Sequence, residues 1–141
     1  MRELTFDDLN YCAKHRANCY GELLEVSEEK LRKKFLKGKI KFLLEDVGYV
    51  MLRDDYDNPA YAHISAILIE KMKHGKGFGS KILKLAEETA LKSGFDGITL
   101  SVRPEGEDLI HAFYKKNGYE KVKEVNNRVY YLKKIRKKRE I

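Results

Sequence analysis

A mixed α/β fold, a sheet covered by helices, is what this sequence predicts. Three observations carry it. The apolar patterns run in the order β-α-α-β-β-β-α-β-α-β-β, 43% of the 141 residues are apolar, and a glycine-rich turn joins a strand-like run to a helix-like one. The length suits one compact domain, 1–141, ending in a basic tail from about 133 to 141.

Arg2 to Thr5 suit a short first strand. From Phe6 to Leu24, residues Leu9, Cys12, Ala13, Arg16, Cys19, Tyr20 and Leu23 recur near helical spacing, which predicts a first helix. Ser27 is a good capping residue, so a second helix is expected over Glu28 to Leu36, closed by Gly38. Ile40 to Leu44 and Gly48 to Arg53 read as strands with a tight connection, and Asp54-Asp55-Tyr56-Asp57-Asn58-Pro59 as a loop. Ala60 to Ile69 is a strand leading into the glycine turn. Phe78, Ile82, Leu85, Ala86, Thr89 and Ala90 then lie on one stripe of a helix over Phe78 to Lys92, which Gly94 ends. Gly97 to Val102 alternates like a strand, and Glu107 to Lys116 reads as a helix closed by Asn117-Gly118. Tyr119 to Val125 and Arg128 to Ile135 form a closing hairpin around Asn126-Asn127.

The net charge of +7 points to nucleic acid only until it is located. Residues 133–141 carry six basic side chains and one acidic one; subtracting that +5 leaves +2 on the other 132 residues. The tail carries no interleaved aromatic residues for stacking on bases, so a solvated end is favoured over a nucleic-acid contact. No window approaches the roughly 20 apolar residues that span a bilayer, and Met1 to Asp8 lack a signal-peptide apolar block, so no membrane association is expected. Cys12 and Cys19, seven apart in a helix-like segment, share a face rather than bridge two elements. A reduced, cytoplasmic protein is the expectation.

The turn His74-Gly75-Lys76-Gly77-Phe78-Gly79-Ser80 is the most informative stretch. Glycines at alternate positions leave backbone N–H groups unshielded ahead of a helix N-terminus, an arrangement that cradles a phosphate or pyrophosphate. A P-loop needs Lys then Ser or Thr after its last glycine, whereas Gly79 is followed by Ser80-Lys81. A dinucleotide fingerprint needs G-x-G-x-x-G after the first strand; this chain has G-x-G-x-G after several.

Position and pattern together resemble the GNAT superfamily, the general-control-related N-acetyltransferases. The family's Gln/Arg-x-x-Gly-x-Gly/Ala loop is matched from His74 through Gly79, with His at the Gln/Arg position. The late-helix aromatic pair followed by a Gly-aromatic step is matched by Ala112-Phe113-Tyr114-Lys115-Lys116-Asn117-Gly118-Tyr119. The last two-thirds of the chain fit well, and residues 1–40 only in element order. The resemblance implies the acyl-CoA N-acyltransferase fold and acetyl transfer from acetyl-CoA, as co-substrate, to a primary amine by direct attack. It implies no metal cofactor, and a homodimer as the family's common arrangement. It places the cofactor along Ile67, Leu68 and Ile69 and over His74, Gly75, Lys76, Gly77, Phe78, Gly79 and Ser80: pyrophosphate on the loop amides, pantetheine paired with the strand as an added strand. A backbone N–H near Ile67 would face the oxyanion.

On the same resemblance, Tyr114 protonates the departing thiolate, a transfer from a phenol of pKa near ~10 to a thiol near ~8.5 that positioning makes feasible. Read alone, Tyr114 fits a core aromatic equally well. His63, four residues before Ile67, falls where family members carry a catalytic Glu or His. An imidazole there can relay a proton from an ammonium, with Ser65 holding a water; a strand histidine satisfied by a neighbour is the plain alternative. The family's asparagine seven residues before the tyrosine is Glu107 here, which removes the CoA contact carried by that position. Cys12, His15 and Cys19 share a helical face but lack the fourth ligand of a structural zinc, so metal is not expected. His111 reads as solvent-facing, and Asp54, Asp55 and Asp57 as turn residues that can also attract a cation.

The acceptor stays open between small amines, polyamines and protein amines. In the family it is shaped by the segment matching Cys19 to Val26 and by the closing hairpin near Asn126. A non-catalytic acyl-CoA-binding module and a ribosome- or RNA-associated role for the basic tail are the alternative functions.

Overall fold

The computed structural model describes residues 2–44, 46–69 and 75–136. Among these, seven strands form one sheet of order β1-β2-β3-β4-β5-β7-β6. In chain order the elements are β1 (Arg2–Glu3), a 3-10 turn (Phe6–Asp8), α1 (Leu9–Tyr20), α2 (Leu24–Lys37), β2 (Ile40–Leu44), β3 (Gly48–Asp54), β4 (Tyr61–Ile69), α3 (Phe78–Lys92), β5 (Gly97–Val102), α4 (Asp108–Lys116), β6 (Glu120–Val125) and β7 (Arg128–Lys134). This is the predicted order, and α3 and β5 have the predicted bounds. Two compact units divide the chain, Met1–Arg53 with Ile64–Ala86, and Asp54–His63 with Glu87–Ile141.

In the first unit, β1 pairs antiparallel with β2, and β2 with β3 in the register Phe42↔Val50. Its core gathers Leu9, Cys12 and Ala13 from α1, Leu31 from α2, Leu43 from β2, Tyr49 and Met51 from β3, and Ala66 and Leu68 from β4. Tyr49 and Met51, and Ala66 and Leu68, are spaced two apart, so each pair leaves its strand on one face. Residues between them, Val50 and Leu52, are fully buried too, so β3 has no solvent face. Cys12 lies in this core without contact with water, and burial pushes its thiol up to about 12.

The first predicted helix is divided. Gly21, at φ +64°, closes α1 after Tyr20 with its N–H on the Ala17 carbonyl. Phe6–Asp8 form a separate 3-10 turn whose Asp8 carboxylate accepts the Thr5 N–H at 2.7 Å and a two-pronged Arg2 pair at 2.6 and 2.8 Å. The Arg2 guanidinium holds the Asp8 carboxyl well below the usual range. Helix α2 starts at Leu24, three residues before the predicted cap. Ser27 is inside the helix and fully buried, and its hydroxyl donates to Glu22 at 2.6 Å. A hydroxyl with a carboxylate partner across the turn is of no use as a cap.

In the second unit, β4 pairs parallel with β5 in the register Tyr61↔Gly97, Ala62↔Ile98, His63↔Thr99. Strand β5 pairs antiparallel with β7, and β7 with β6. The hairpin turns on Asn126 and Asn127 at φ +52° and +59°, the left-handed pair of a type I′ turn. Tyr119 is buried after α4, donating its O–H to Glu87 at 2.9 Å, while Lys133 donates to the other oxygen of the same carboxylate at 2.8 Å.

Glycine is required at the head of β3. A Cβ on Gly48 would sit 2.0 Å from the Leu68 carbonyl oxygen, a backbone atom with no side-chain freedom to retreat. Gly48→Ala should therefore cost about 3 kcal/mol, the upper part of the overpacking range. A urea or thermal melt checks this, and an unchanged midpoint would contradict the close approach.

Candidate active site

The glycine turn has the backbone that its sequence demands. Gly75 and Gly77 are at φ +76° and +80°, in the left-handed region, and among the described residues nothing lies within 4 Å of a Cβ built on either. Their glycine character is thus conformational. Gly75, Lys76 and Gly77 are exposed, Phe78 and Gly79 half-buried, Ser80 exposed. The α3 ladder opens with the Lys81 N–H on the Gly77 carbonyl at 3.2 Å, so the amides of Gly79 and Ser80 precede the helix's own bonds. With the positive end of a four-turn helix behind them, they suit an anionic oxygen. His74 lies outside the described residues.

On β4, Ile67 and Ile69 are half-buried and alternate with the buried Leu68. Leu68 is committed to the core, leaving the strand's backbone as the group that an added strand can use. The Ser65 hydroxyl donates to the Met51 carbonyl at 3.3 Å, a bond along the sheet that sequence reasoning did not anticipate.

Tyr114 is buried, at 7% exposure, in a cluster of rings. Phe113 and Tyr119 meet it edge-on at 5.2 and 5.7 Å between centroids, and Tyr131 lies tilted at 6.4 Å. Three aromatic neighbours, from α4, the turn after it and β7, hold the phenol in one orientation, which a proton donor requires. His111, one turn earlier, is half-buried rather than solvent-facing. Its Nε2–H donates to the Arg103 carbonyl at 2.8 Å, and its Nδ1 accepts the Tyr131 O–H at 2.7 Å. The prediction failed because β7 lies 20 positions away and brings its hydroxyl onto that face. Glu107 accepts from Arg103 at 3.2 Å.

His63 is 6% exposed. Its Nδ1 lies 2.8 Å from the Thr99 hydroxyl oxygen and 3.6 Å from Asp55 Oδ1, and Thr99 itself donates to that same Asp55 oxygen at 2.9 Å. The other Asp55 oxygen accepts the backbone N–H groups of Asp57 and Asn58 at 3.2 and 3.0 Å, a turn that the Asp-rich loop signalled. Asp57 is taken up by Lys123 from β6, which holds its carboxyl below the usual range. Sequence reasoning missed Thr99. No local pattern marks it; only the parallel register sets it opposite His63.

In the first unit, Glu22 fastens the segment between α1 and α2. It accepts from Lys30 and Ser27 at 2.6 Å each and from Arg16 at 3.1 Å. Lys30 foremost, then Ser27 and Arg16, bring its carboxyl down to about 2. A cavity of about 480 Å³ near this segment is lined by Phe6, Asp7, Leu9, Glu25, Glu28 and Glu29, among others, and by none of the predicted site residues. Among the described residues, no group of three or more His, Cys, Asp or Glu could hold a metal ion; Cys12, His15 and Cys19 form none. No described helix is long and apolar enough to cross a membrane.

The acetyltransferase (GNAT) family model matches residues 10–119, a span containing the glycine turn, His63 and Tyr114. The chain belongs to the acetyltransferase (GNAT) family. Acetyl transfer is the chemistry of that family, and this acetyltransferase also shares its fold with solved members. An aminoglycoside 6'-N-acetyltransferase in complex with coenzyme A has a TM-score of 0.77 at 13% identity, over 99% of this chain and 98% of its own. A Thermoplasma acidophilum PaiA N-acetyltransferase, also with coenzyme A, has 0.71 at 20%, over 94% and 96%. A variant of the Vibrio cholerae spermidine N-acetyltransferase has 0.72 at 20%, over 95% and 94%. No curated protein matches the chain in sequence.

The Glu22 clamp predicts an acid response. Its folded value lies below the ordinary 4.5, so its contribution is full above about 4.5 and is lost as pH falls through about 2. The difference in urea midpoint between the wild type and Glu22→Gln should be largest at neutral pH, shrink below pH 4.5 and close near pH 2. A difference that stays constant with pH would show that the clamp does not act through charge.

Proposed function

We propose that this acetyltransferase moves the acetyl group of acetyl-CoA onto a primary amine by direct attack, with no acyl-enzyme. The observation that carries the reading is the family match over a span holding both the left-handed glycine turn and the buried Tyr114. The amides of Gly75, Lys76, Gly77, Gly79 and Ser80 take the pyrophosphate, helped by the charge of Lys76. Pantetheine pairs with the backbone of Ile67 to Ile69, and an amide near Ile67 faces the oxyanion.

His63 takes the proton that an ammonium must lose before it can attack. Because the ring is buried, that proton travels through water. The amine nitrogen then bonds to the thioester carbon, the carbon–sulfur bond breaks with Tyr114 giving its proton to the sulfur, and the proton that the new amide nitrogen loses returns the phenolate to the phenol. Neither cysteine takes part: a Cys12 thiol pushed up to about 12 is a poor nucleophile at neutral pH. The solved relatives named for an aminoglycoside and for spermidine both act on amines, which supports an amine acceptor here. Which amine is a matter for a panel.

Tyr114→Phe should lower kcat by about 100-fold, the lower end of what a general acid contributes, and leave acetyl-CoA affinity near that of the wild type. Gly77→Val should weaken acetyl-CoA binding in calorimetry, since an L side chain disfavours φ +80° and shields the amides. Unchanged turnover in the first variant removes Tyr114 from the mechanism. Full heat of binding in the second removes the loop from the cofactor site.

A further inference from the structure

We propose that Thr99 and Asp55 are positioning residues for His63, fixing which ring nitrogen carries the proton and holding the positive charge that arrives on the ring. The inference deepens the assignment of His63 as base and rests on it. An ionised carboxylate can only accept hydrogen bonds, so the hydroxyl proton of Thr99 must point at Asp55 Oδ1. The Thr99 oxygen, its proton committed, then faces His63 at 2.8 Å with a lone pair and accepts from Nδ1–H. Nδ1 therefore carries the proton of the neutral ring, and the basic lone pair belongs to Nε2.

Asp55 is itself fixed. Its second oxygen accepts the Asp57 and Asn58 N–H groups, so the carboxylate cannot swing away without opening the loop. Its Oδ1 stands 3.6 Å from Nδ1, close enough to compensate a charge on the ring, and Asp57, the next carboxylate described, is paired with Lys123. When an ammonium gives up its proton, the nitrogen–hydrogen bond breaks and, through water, an Nε2–H bond forms. The ring then carries one positive charge, compensated by Asp55. The Thr99 proton stays on Thr99 and the Nδ1 proton stays on Nδ1. The chain of bonds orients and compensates; it conducts no proton.

The element that makes this possible is the parallel ladder. His63↔Thr99 is a paired position of β4 and β5, which puts a hydroxyl beside the imidazole without a flexible linker.

The test uses the full chain with 15N-labelled histidine. Multiple-bond 15N–1H NMR should find His63 as the Nδ1–H tautomer in the wild type and in Thr99→Ser. In Thr99→Val, which keeps the shape and removes the hydroxyl, it should find a mixture or the Nε2–H form. That readout needs no acceptor. Turnover is then followed by thiol release from acetyl-CoA with spermidine, kanamycin and a lysine-containing peptide. Thr99→Val should lower kcat about 10- to 100-fold with an unchanged acetyl-CoA KM, part of the factor that a general base contributes, and Thr99→Ser should restore it to within about twofold. Asp55→Asn keeps an acceptor for the turn and loses the charge, so a lowered kcat with a wild-type melt supports the charge role.

An Nδ1–H tautomer that survives in Thr99→Val overturns the inference. So does wild-type kcat in Thr99→Val when His63→Gln is impaired, an outcome that leaves His63 as base. Full turnover in His63→Gln is the distinct failure of the base assignment itself, and the inference falls with it.

Discussion

Strand β4 is held by the close approach of β3, and much of what the molecule can do follows from how that strand is placed. On one side Gly48 brings β3 against the Leu68 carbonyl, where a single methyl group would collide at 2.0 Å. Only glycine at position 48 lets β3 come this near to β4. On β5, a Cβ on Gly97 would stand 3.0 Å from the Tyr61 ring and 3.0 Å from the Lys133 carbonyl oxygen of β7, a tight fit. The first three residues of β4 pair in parallel with β5, while Ala66 and Leu68 anchor the core under α1 and α2. The strand thus carries a polar constellation at its beginning and a packed apolar face toward its end, both set by hydrogen-bond register rather than by loops.

That division suits the chemistry of an acetyltransferase. The role proposed for His63, that of a base, needs a fixed ring and a compensated charge, which Thr99 and Asp55 offer. A thioester ligand needs backbone donors and little side-chain commitment, which half-buried Ile67 and Ile69 and the left-handed glycines offer. Tyr114 gains its rigidity differently, through ring contacts with Phe113, Tyr119 and Tyr131, two of which are tied further by hydrogen bonds to Glu87 and His111. In each case the group proposed to act is held by regular structure, so precision would come from packing that the fold maintains.

What the sequence made legible follows from the range of the forces involved. Helix α3, strand β5 and the Asn126-Asn127 turn were readable because periodicity and left-handed turn residues act over a few positions. The family itself was readable from two local motifs, the glycine turn and the aromatic pair of α4. Errors arose where a partner came from afar or a strong local signal was passed over. Gly21 marks the end of α1, yet the apolar spacing continues through Leu23 and suggested one longer helix. Ser27 suits a cap by residue type, yet Glu22 across the turn takes its hydroxyl, a competition that capping statistics do not weigh. His111 and Thr99 depend on partners 20 and 36 positions distant, and nothing short of sheet register discloses them.

The far end of the sheet bears on how copies of this chain meet. Strand β6 ends the strand order, all six of its residues are exposed, and its ladder with β7 slips between Lys121 and Lys123. An open rim of unpaired amides normally invites a second sheet to zip on and grow toward fibrils. Here an irregular, lysine-bearing border with one ammonium drawn back to Asp57 offers a poor template, so crowding at high concentration need not end in aggregation along that rim.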